Sequence, residues 1–143
     1  IKKKLELKDN NFVIVSASIE SQISEFDNEN EKLELLEQLE LKETTLNKVI
    51  KTGYNLLNLR TFFTSGEQET RAWTIKNGST AQNAAGKIHS DFEKGFIRAE
   101  TIAYEDFVKY NGETSSREAG KLRQEGKEYK VKDGDVFHFL FNL

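Results

Sequence analysis

At Asn58 the hydrophobic period changes, and this restricts the chain to a helical part followed by a sheet-forming part. Before it, apolar residues recur every three or four positions: Ile19, Ile23 and Phe26; Leu33, Leu36 and Leu39, with Leu35; then Leu46, Val49, Ile50, Tyr54 and Leu57. Such spacing puts each set on one face of a helix. "DNENE" at 27–31 and "KE" at 42–43 separate the three segments. After Asn58 the period is two. "LRTFFTSG" and "TRAWTIKNG" alternate and end in Gly-containing turns, which predicts a hairpin. Near the start, "FVIV" at 12–15 is a short apolar run of the kind that makes a strand covered on both faces of a parallel sheet.

The segment after the hairpin, "NGSTAQNAAGKIHSDFEKG" (77–95), holds a Gly-Lys pair in a Gly/Ser/Thr-rich setting. A phosphate loop needs G-x-x-x-x-G-K-[ST], because backbone N–H groups cradle the phosphates, the lysine offsets their charge and the hydroxyl holds Mg²⁺. Counted from Gly86 and Lys87, the first glycine falls on Ala81 and the hydroxyl on Ile88, so both anchors fail. A helix over 79–94 fits instead. Ser79 or Thr80 caps its first turn, Ala81, Ala84, Ala85, Ile88 and Phe92 follow at helical spacing, and Gly95 stands where a left-handed C-terminal cap belongs. This stretch does not hydrolyse a nucleotide.

Further on, "FIRAETIAY" (96–104) reads as a strand and "SSREAGKLRQEG" (115–126) as a short capped helix. "EYKVKDGDVFHFLFN" (128–142) reads as two short strands around a tight turn. A hairpin, a helix packed across it and a later pair of strands make an α+β domain on the β-grasp, or ubiquitin-like, plan.

Composition removes several function classes. The 143 residues suffice for one domain and part of another, and a chain that opens at Ile1 and holds no Met reads as part of a longer protein. With no Cys there is neither a disulfide framework nor thiolate chemistry. Two lone histidines, His89 and His138, do not make a zinc site, and no metal ligand set is predicted. No apolar run approaches the ~20 residues of a membrane span and no signal-peptide pattern opens the chain, so a soluble cytoplasmic protein is the default.

The net charge of −3 is unevenly placed. Residues 1–59 carry 8 basic against 11 acidic side chains, residues 60–143 carry 13 against 13, and "REAGKLRQEGKEYKVK" (117–132) carries 6 against 3. Bulk polyanion binding, DNA included, is not indicated, but local basic patches are. Lys87 and Lys94, seven apart, share a face of the predicted helix, with Arg98 beyond; Arg117, Lys121 and Arg123 form a second cluster on the short helix. Lysine and arginine contacts to phosphate supply nucleic-acid affinity without reading sequence, so these six are the candidate RNA- or partner-binding residues.

Asp133 and Asp135 in "KDGDV" are better read as a turn than as a paired carboxylate. His138 alternates with Phe137, Phe139 and Phe141 and so faces away from the core, and His89 falls on the polar side of its helix. Trp73 fills core or interface space, with base stacking as the alternative. None receives a catalytic role.

Taken together, "FVIVSASIE", the block "GYNLLNLRTFFTSGEQETRAWTIKNGSTAQNAAGKIHSDFEKGFIRAETI" and "EAGKLRQEGKEYKVKDGDVFHFLFN" resemble the C-terminal part of the YchF family of Obg-like ATPases, over residues 12–143. From about Leu59 the resemblance is to the TGS domain. It implies three parts: residues 1–18 as the last strand and S-A-x-x-E motif of a P-loop G domain, 19–58 as a helical connector, and 59–143 as the TGS domain. It places Ser16 and Ala17 beside the purine base, where small residues let the main chain approach a flat ring. The phosphate loop, the magnesium motifs and the N-x-x-E that selects ATP belong upstream of Ile1. ATP and Mg²⁺ are therefore expected in the parent protein and no cofactor in this chain alone.

The parent is expected to be a ribosome-associated ATPase that regulates translation or a stress response. This part would contact the ribosome or structured RNA, with a protein partner as the alternative and no role for membrane or DNA. One rival is a nucleotide-independent TGS interaction module. A second, the TGS appendage of an alarmone or tRNA synthetase, is opposed by the helical connector and "SASIE".

Overall fold

The computed structural model describes residues 12–66 and 69–142. The chain divides into two compact units between Leu57 and Asn58, where the hydrophobic period changes.

The first unit contains α1 (Ala17–Ser24), α2 (Glu29–Gln38) and α3 (Thr45–Leu56). Side-chain caps set two of the starts: Asn28 accepts the Asn30 N–H, and Thr44 accepts the Asn47 N–H. Glu20 of α1 reaches the first turn of α3, its carboxylate accepting the Thr45 N–H at 2.6 Å. Ile23 and Leu36 are buried, while Leu46, Val49, Ile50, Leu56 and Leu57 stay exposed. The strand expected over 12–15 is not formed. Residues 12–16 are irregular, and Ile14 is 80% exposed. A doubly covered strand needs neighbours on both sides, and no described strand pairs with this segment. Residues 1–11, which belong to the same expectation, lie outside the described residues.

The second unit is one mixed five-stranded sheet with helices on both faces. Its elements are β1 (Leu59–Ser65), β2 (Thr70–Lys76), α4 (Ala81–Ile88), α5 (Ser90–Lys94), β3 (Phe96–Ala103), α6 (Tyr104–Lys109), α7 (Glu113–Glu118), β4 (Arg123–Glu125) and β5 (Asp135–Phe141). The strand order is β2-β1-β5-β3-β4. The central pair, β1 and β5, is parallel and the other pairs are antiparallel. The hairpin aligns Phe62 with Trp73, and Phe62 meets Phe137 and Phe139 edge-on. Ala81, Ala84 and Ala85 of α4 are fully buried in the same core, their small side chains letting the helix lie close to the aromatic layer. On the opposite face, Ile102 and Val136 are buried near α6.

Four local expectations need correction. The helix over 79–94 is two helices, because His89 is extended (φ −156°, ψ 143°) and caps α5 by accepting the Asp91 N–H. Gly95 is not a left-handed cap (φ −87°); it is needed because a Cβ there would meet the Asn142 carbonyl oxygen. The helix over 115–126 starts earlier and ends at Glu118, Gly120 turns the chain at φ +70°, and 123–125 becomes β4 against β3. In 128–142 only β5 is a full strand, and Lys130 makes a single bridge to Thr80. The α6 helix had no sequence expectation at all.

Candidate nucleic-acid interface

Ser16 occupies the N-cap of α1 and Ala17 its first position. Both are exposed, and the Ser16 side chain makes no capping hydrogen bond. The turn is therefore small and open, which is what approach to a flat ring requires. Gly86 and Lys87 lie in the last turn of α4, where their backbone N–H groups belong to the helix and not to a cradle. Among the described residues no cluster of His, Asp or Glu is arranged to hold a metal ion.

The six basic candidates separate into two kinds. Lys87, Lys94 and Arg98 are exposed, and among the described residues no carboxylate lies within 4.0 Å of them. They do not form the single helical face that their spacing suggested. The break at His89 assigns Lys87 to a groove it shares with Lys76, Ser79, Asn83 and Glu93, and Lys94 to another beside Asp91 and Asn142. Arg98 lies on β3, just past a bulge in the pairing with β5.

Arg117, Lys121 and Arg123 are all engaged by acids. Arg117 lies 2.9 Å from Glu100 and 2.9 Å from Glu113, so it pins α7 to β3. Lys121 lies 3.7 Å from Asp106 of α6. Arg123 is on β4, not on a helix, and lies 3.2 Å from Glu125 and 3.5 Å from Asp135. Three of the six cations between 117 and 132 are thus met by carboxylates, among them Glu100, Asp106 and Asp135 from other elements, while Lys127, Lys130 and Lys132 are exposed.

The two aspartates of "KDGDV" are structural. Asp133 accepts the Thr61 N–H at 2.8 Å, and Gly134, at φ +83°, donates to the Thr61 carbonyl at 2.8 Å, tying the turn to β1. Asp135 is 2% exposed and accepts from the Lys132 N–H at 2.8 Å and the Tyr129 hydroxyl at 2.9 Å. Burial first, and then the bond to Asp135, push the Tyr129 hydroxyl up to about 12.

Trp73 is half-buried. It stacks on Phe62 at 6.4 Å and donates its indole N–H to the Thr64 hydroxyl at 2.9 Å. The Arg71 guanidinium sits 4.4 Å over its ring. Sequence reasoning passed over Arg71, although the Arg-x-Trp spacing within a strand already puts both side chains on one face. His138 is exposed, opposite Glu100 in the ladder.

Comparison with known proteins supplies the remaining evidence. Residues 59–142 match the YchF-GTPase_C family model, described as a protein of unknown function (DUF933). The chain is 60% identical over 131 residues to the ribosome-binding ATPase YchF of Haemophilus influenzae, covering 92% of this chain and 36% of that protein. It is 56% identical over 142 residues to the protein of the same name from Escherichia coli O157:H7, covering 99% and 39%. The solved structure of the Schizosaccharomyces pombe YchF GTPase superposes with a TM-score of 0.69 at 43% identity, over 88% of this chain and 33% of that one. The chain thus spans under two-fifths of the length of these relatives.

Proposed function

The chain belongs to the YchF-GTPase_C family, and from that premise we propose that it is the C-terminal part of a cytoplasmic, ribosome-associated protein that binds and hydrolyses ATP with Mg²⁺. Residues 59–143 are its TGS module, a β-grasp domain that contacts the ribosome. Support for the β-grasp reading comes from the order β2-β1-β5-β3-β4, with a parallel central pair and the alanine face of α4 packed on the sheet. Residues 1–18 end the G domain and 19–58 form the connector.

The described residues do not fit the phosphates or the Mg²⁺, since Gly86 and Lys87 are inside a helix. They fit the base: Ser16 and Ala17 offer a small, exposed turn that forms one wall of its pocket. Bound ATP supplies the phosphoanhydride chemistry, and this chain's part is to orient the base and to bind the ribosome.

The observation that carries the binding role is the division among the basic residues. A cation already held by a carboxylate gains little from a phosphate, whereas Lys87, Lys94 and Arg98 are unpaired by acids among the described residues. We assign ribosomal RNA contact to these three, and a structural role to Arg117, Lys121 and Arg123. Removing residues 59–143 from the full-length protein should abolish co-sedimentation with ribosomes and leave basal ATP hydrolysis in place. Ribosome binding that survives the deletion would refute the assignment. Equal binding with ATP and with ADP would favour a nucleotide-independent module.

A further inference from the structure

The parallel pairing at the centre of the sheet is short. The β1–β5 ladder holds Phe63↔Val136 and Thr64↔Phe137. Past Thr64, β1 ends in the hairpin turn, where Gly66 N–H donates to the Glu69 carbonyl at 3.0 Å. Among the described strands, β5 continues to Phe141 with only β3 beside it, from Glu100↔His138 to Phe96↔Phe141. A notch therefore opens inside the sheet.

The facing of the backbone follows from one bond. Asn142 N–H donates to the Gly95 carbonyl at 2.9 Å, so Asn142 is turned toward the β3 side. Backbone groups along a strand alternate, so Leu140 and His138 turn the same way. Phe139 and Phe141 then present their N–H and C=O groups to the notch, where no described strand pairs with them. Unpaired edge groups beside an apolar surface are a template for another strand.

The notch is a groove of about 670 Å³ bordered by Gly66 and Glu69 on the hairpin and Phe139 on β5, with Trp73, Ile88 and Phe92 at its base. Among the described residues Glu69 is the only carboxylate lining the groove and no lysine or arginine lines it; Arg71, over the Trp73 ring, lies a loose 4.0 Å from Glu69. A nucleic acid needs cations for its phosphates even where aromatics stack its bases, so it is a poor match here. An extended peptide matches on three counts: backbone donors and acceptors, an apolar base, and an acidic rim that suits a basic side chain.

We propose that this notch is a strand-addition site for an extended segment of a partner protein. The segment pairs its main chain with Phe139 and Phe141 and seats one large apolar side chain against Trp73, Ile88 and Phe92. A neighbouring lysine or arginine meets Glu69. The site uses none of Lys87, Lys94 and Arg98, so it is separate from the proposed RNA contact.

The test titrates the ¹⁵N-labelled full chain with a panel of blocked hexapeptides. Each alternates threonine and valine around one phenylalanine, leucine or tryptophan, with a lysine beside it. The amide signals of Phe139 and Phe141 and the Trp73 indole signal should shift. Exchange of those two amides with solvent should slow by roughly ten-fold while that of Leu140 is unchanged. Peptides N-methylated on the pairing face should not bind. Glu69→Lys, at an exposed turn, should weaken the lysine peptides by about ten-fold and favour their glutamate counterparts. The proposal is overturned if no peptide of the panel shifts these signals, if N-methylation makes no difference, or if a single-stranded oligonucleotide produces the shifts instead.

Discussion

The Tyr129 hydroxyl donates to Asp135 Oδ2 at 2.9 Å, and the accepting carboxylate is only 2% exposed. The same carboxylate takes the Lys132 N–H at 2.8 Å and lies 3.5 Å from the Arg123 guanidinium. One buried acid thus joins β4, the loop after it and the start of β5. A buried carboxylate is retained only where donors surround it, and here three do so.

Tyr129→Phe is therefore expected to destabilise the second unit by about 1–3 kcal/mol, since it leaves one acceptor of Asp135 unmet. The pH dependence has a definite sign. The folded hydroxyl titrates at about 12, above its ordinary value of 10.0, so its contribution is complete below pH 10 and lost as pH rises through about 12. Ultraviolet titration of the 4 tyrosines should show one late ionisation near that value. Its survival in Tyr129→Phe would refute the assignment.

Glu20 gives a second, opposite pH effect. Hydrogen bonding from Thr45, through its side chain and then its backbone N–H, holds the Glu20 carboxyl below its ordinary 4.5. Its stabilisation of α3 is present above 4.5 and lost as pH falls through the lower folded value. The Thr45 and Leu46 amide signals should move with a common midpoint below 4.5. In Glu20→Gln that inflection should vanish.

Two glycines should respond to alanine in opposite directions. A Cβ at Gly95 would meet the Asn142 backbone carbonyl, which has no rotamer to yield, so Gly95→Ala should cost about 1–3 kcal/mol or more. At Gly53, inside α3, nothing lies within 4 Å of an added Cβ. Gly53→Ala should stabilise that helix by about 0.5–1 kcal/mol. Urea unfolding, read separately for the two units, checks both.

Local pattern made part of this fold legible. Alternation placed the β1–β2 hairpin, the alanines marked the face of α4, and Asp133-Gly134 marked the turn before β5. Alternation cannot say which strand becomes a neighbour. The Phe63↔Val136 pairing spans the whole domain, and the three-residue β4 exists only because β3 offers it an edge. The His89 break was hidden because its imidazole caps the next helix as a serine would. The basic candidates were misgrouped for a similar reason. Glu100 and Asp106, which meet Arg117 and Lys121, are distant in sequence and adjacent only in the fold, whereas Glu113 is a helical i,i+4 partner of Arg117.

An ATP-turnover assay of the 143-residue chain should read no hydrolysis above background, because Gly86 and Lys87 are helical and no described group is placed to hold Mg²⁺. Steady turnover that co-purifies with the chain and is lost in Lys87→Ala would contradict this.

The central claim, that Lys87, Lys94 and Arg98 rather than the acid-paired Arg117, Lys121 and Arg123 contact the ribosome, is tested most directly by salt titration of ribosome binding. The full-length protein is compared with Lys87→Ala/Lys94→Ala/Arg98→Ala and with Arg117→Ala/Lys121→Ala/Arg123→Ala, each checked for folding by circular dichroism. With about three phosphates engaged, log affinity against log salt should fall with a slope of roughly −2 to −3. The first variant should lose affinity and flatten that slope by roughly one unit per charge removed, while the second leaves the slope unchanged. The reverse pattern, or an unchanged slope in both, would contradict the account.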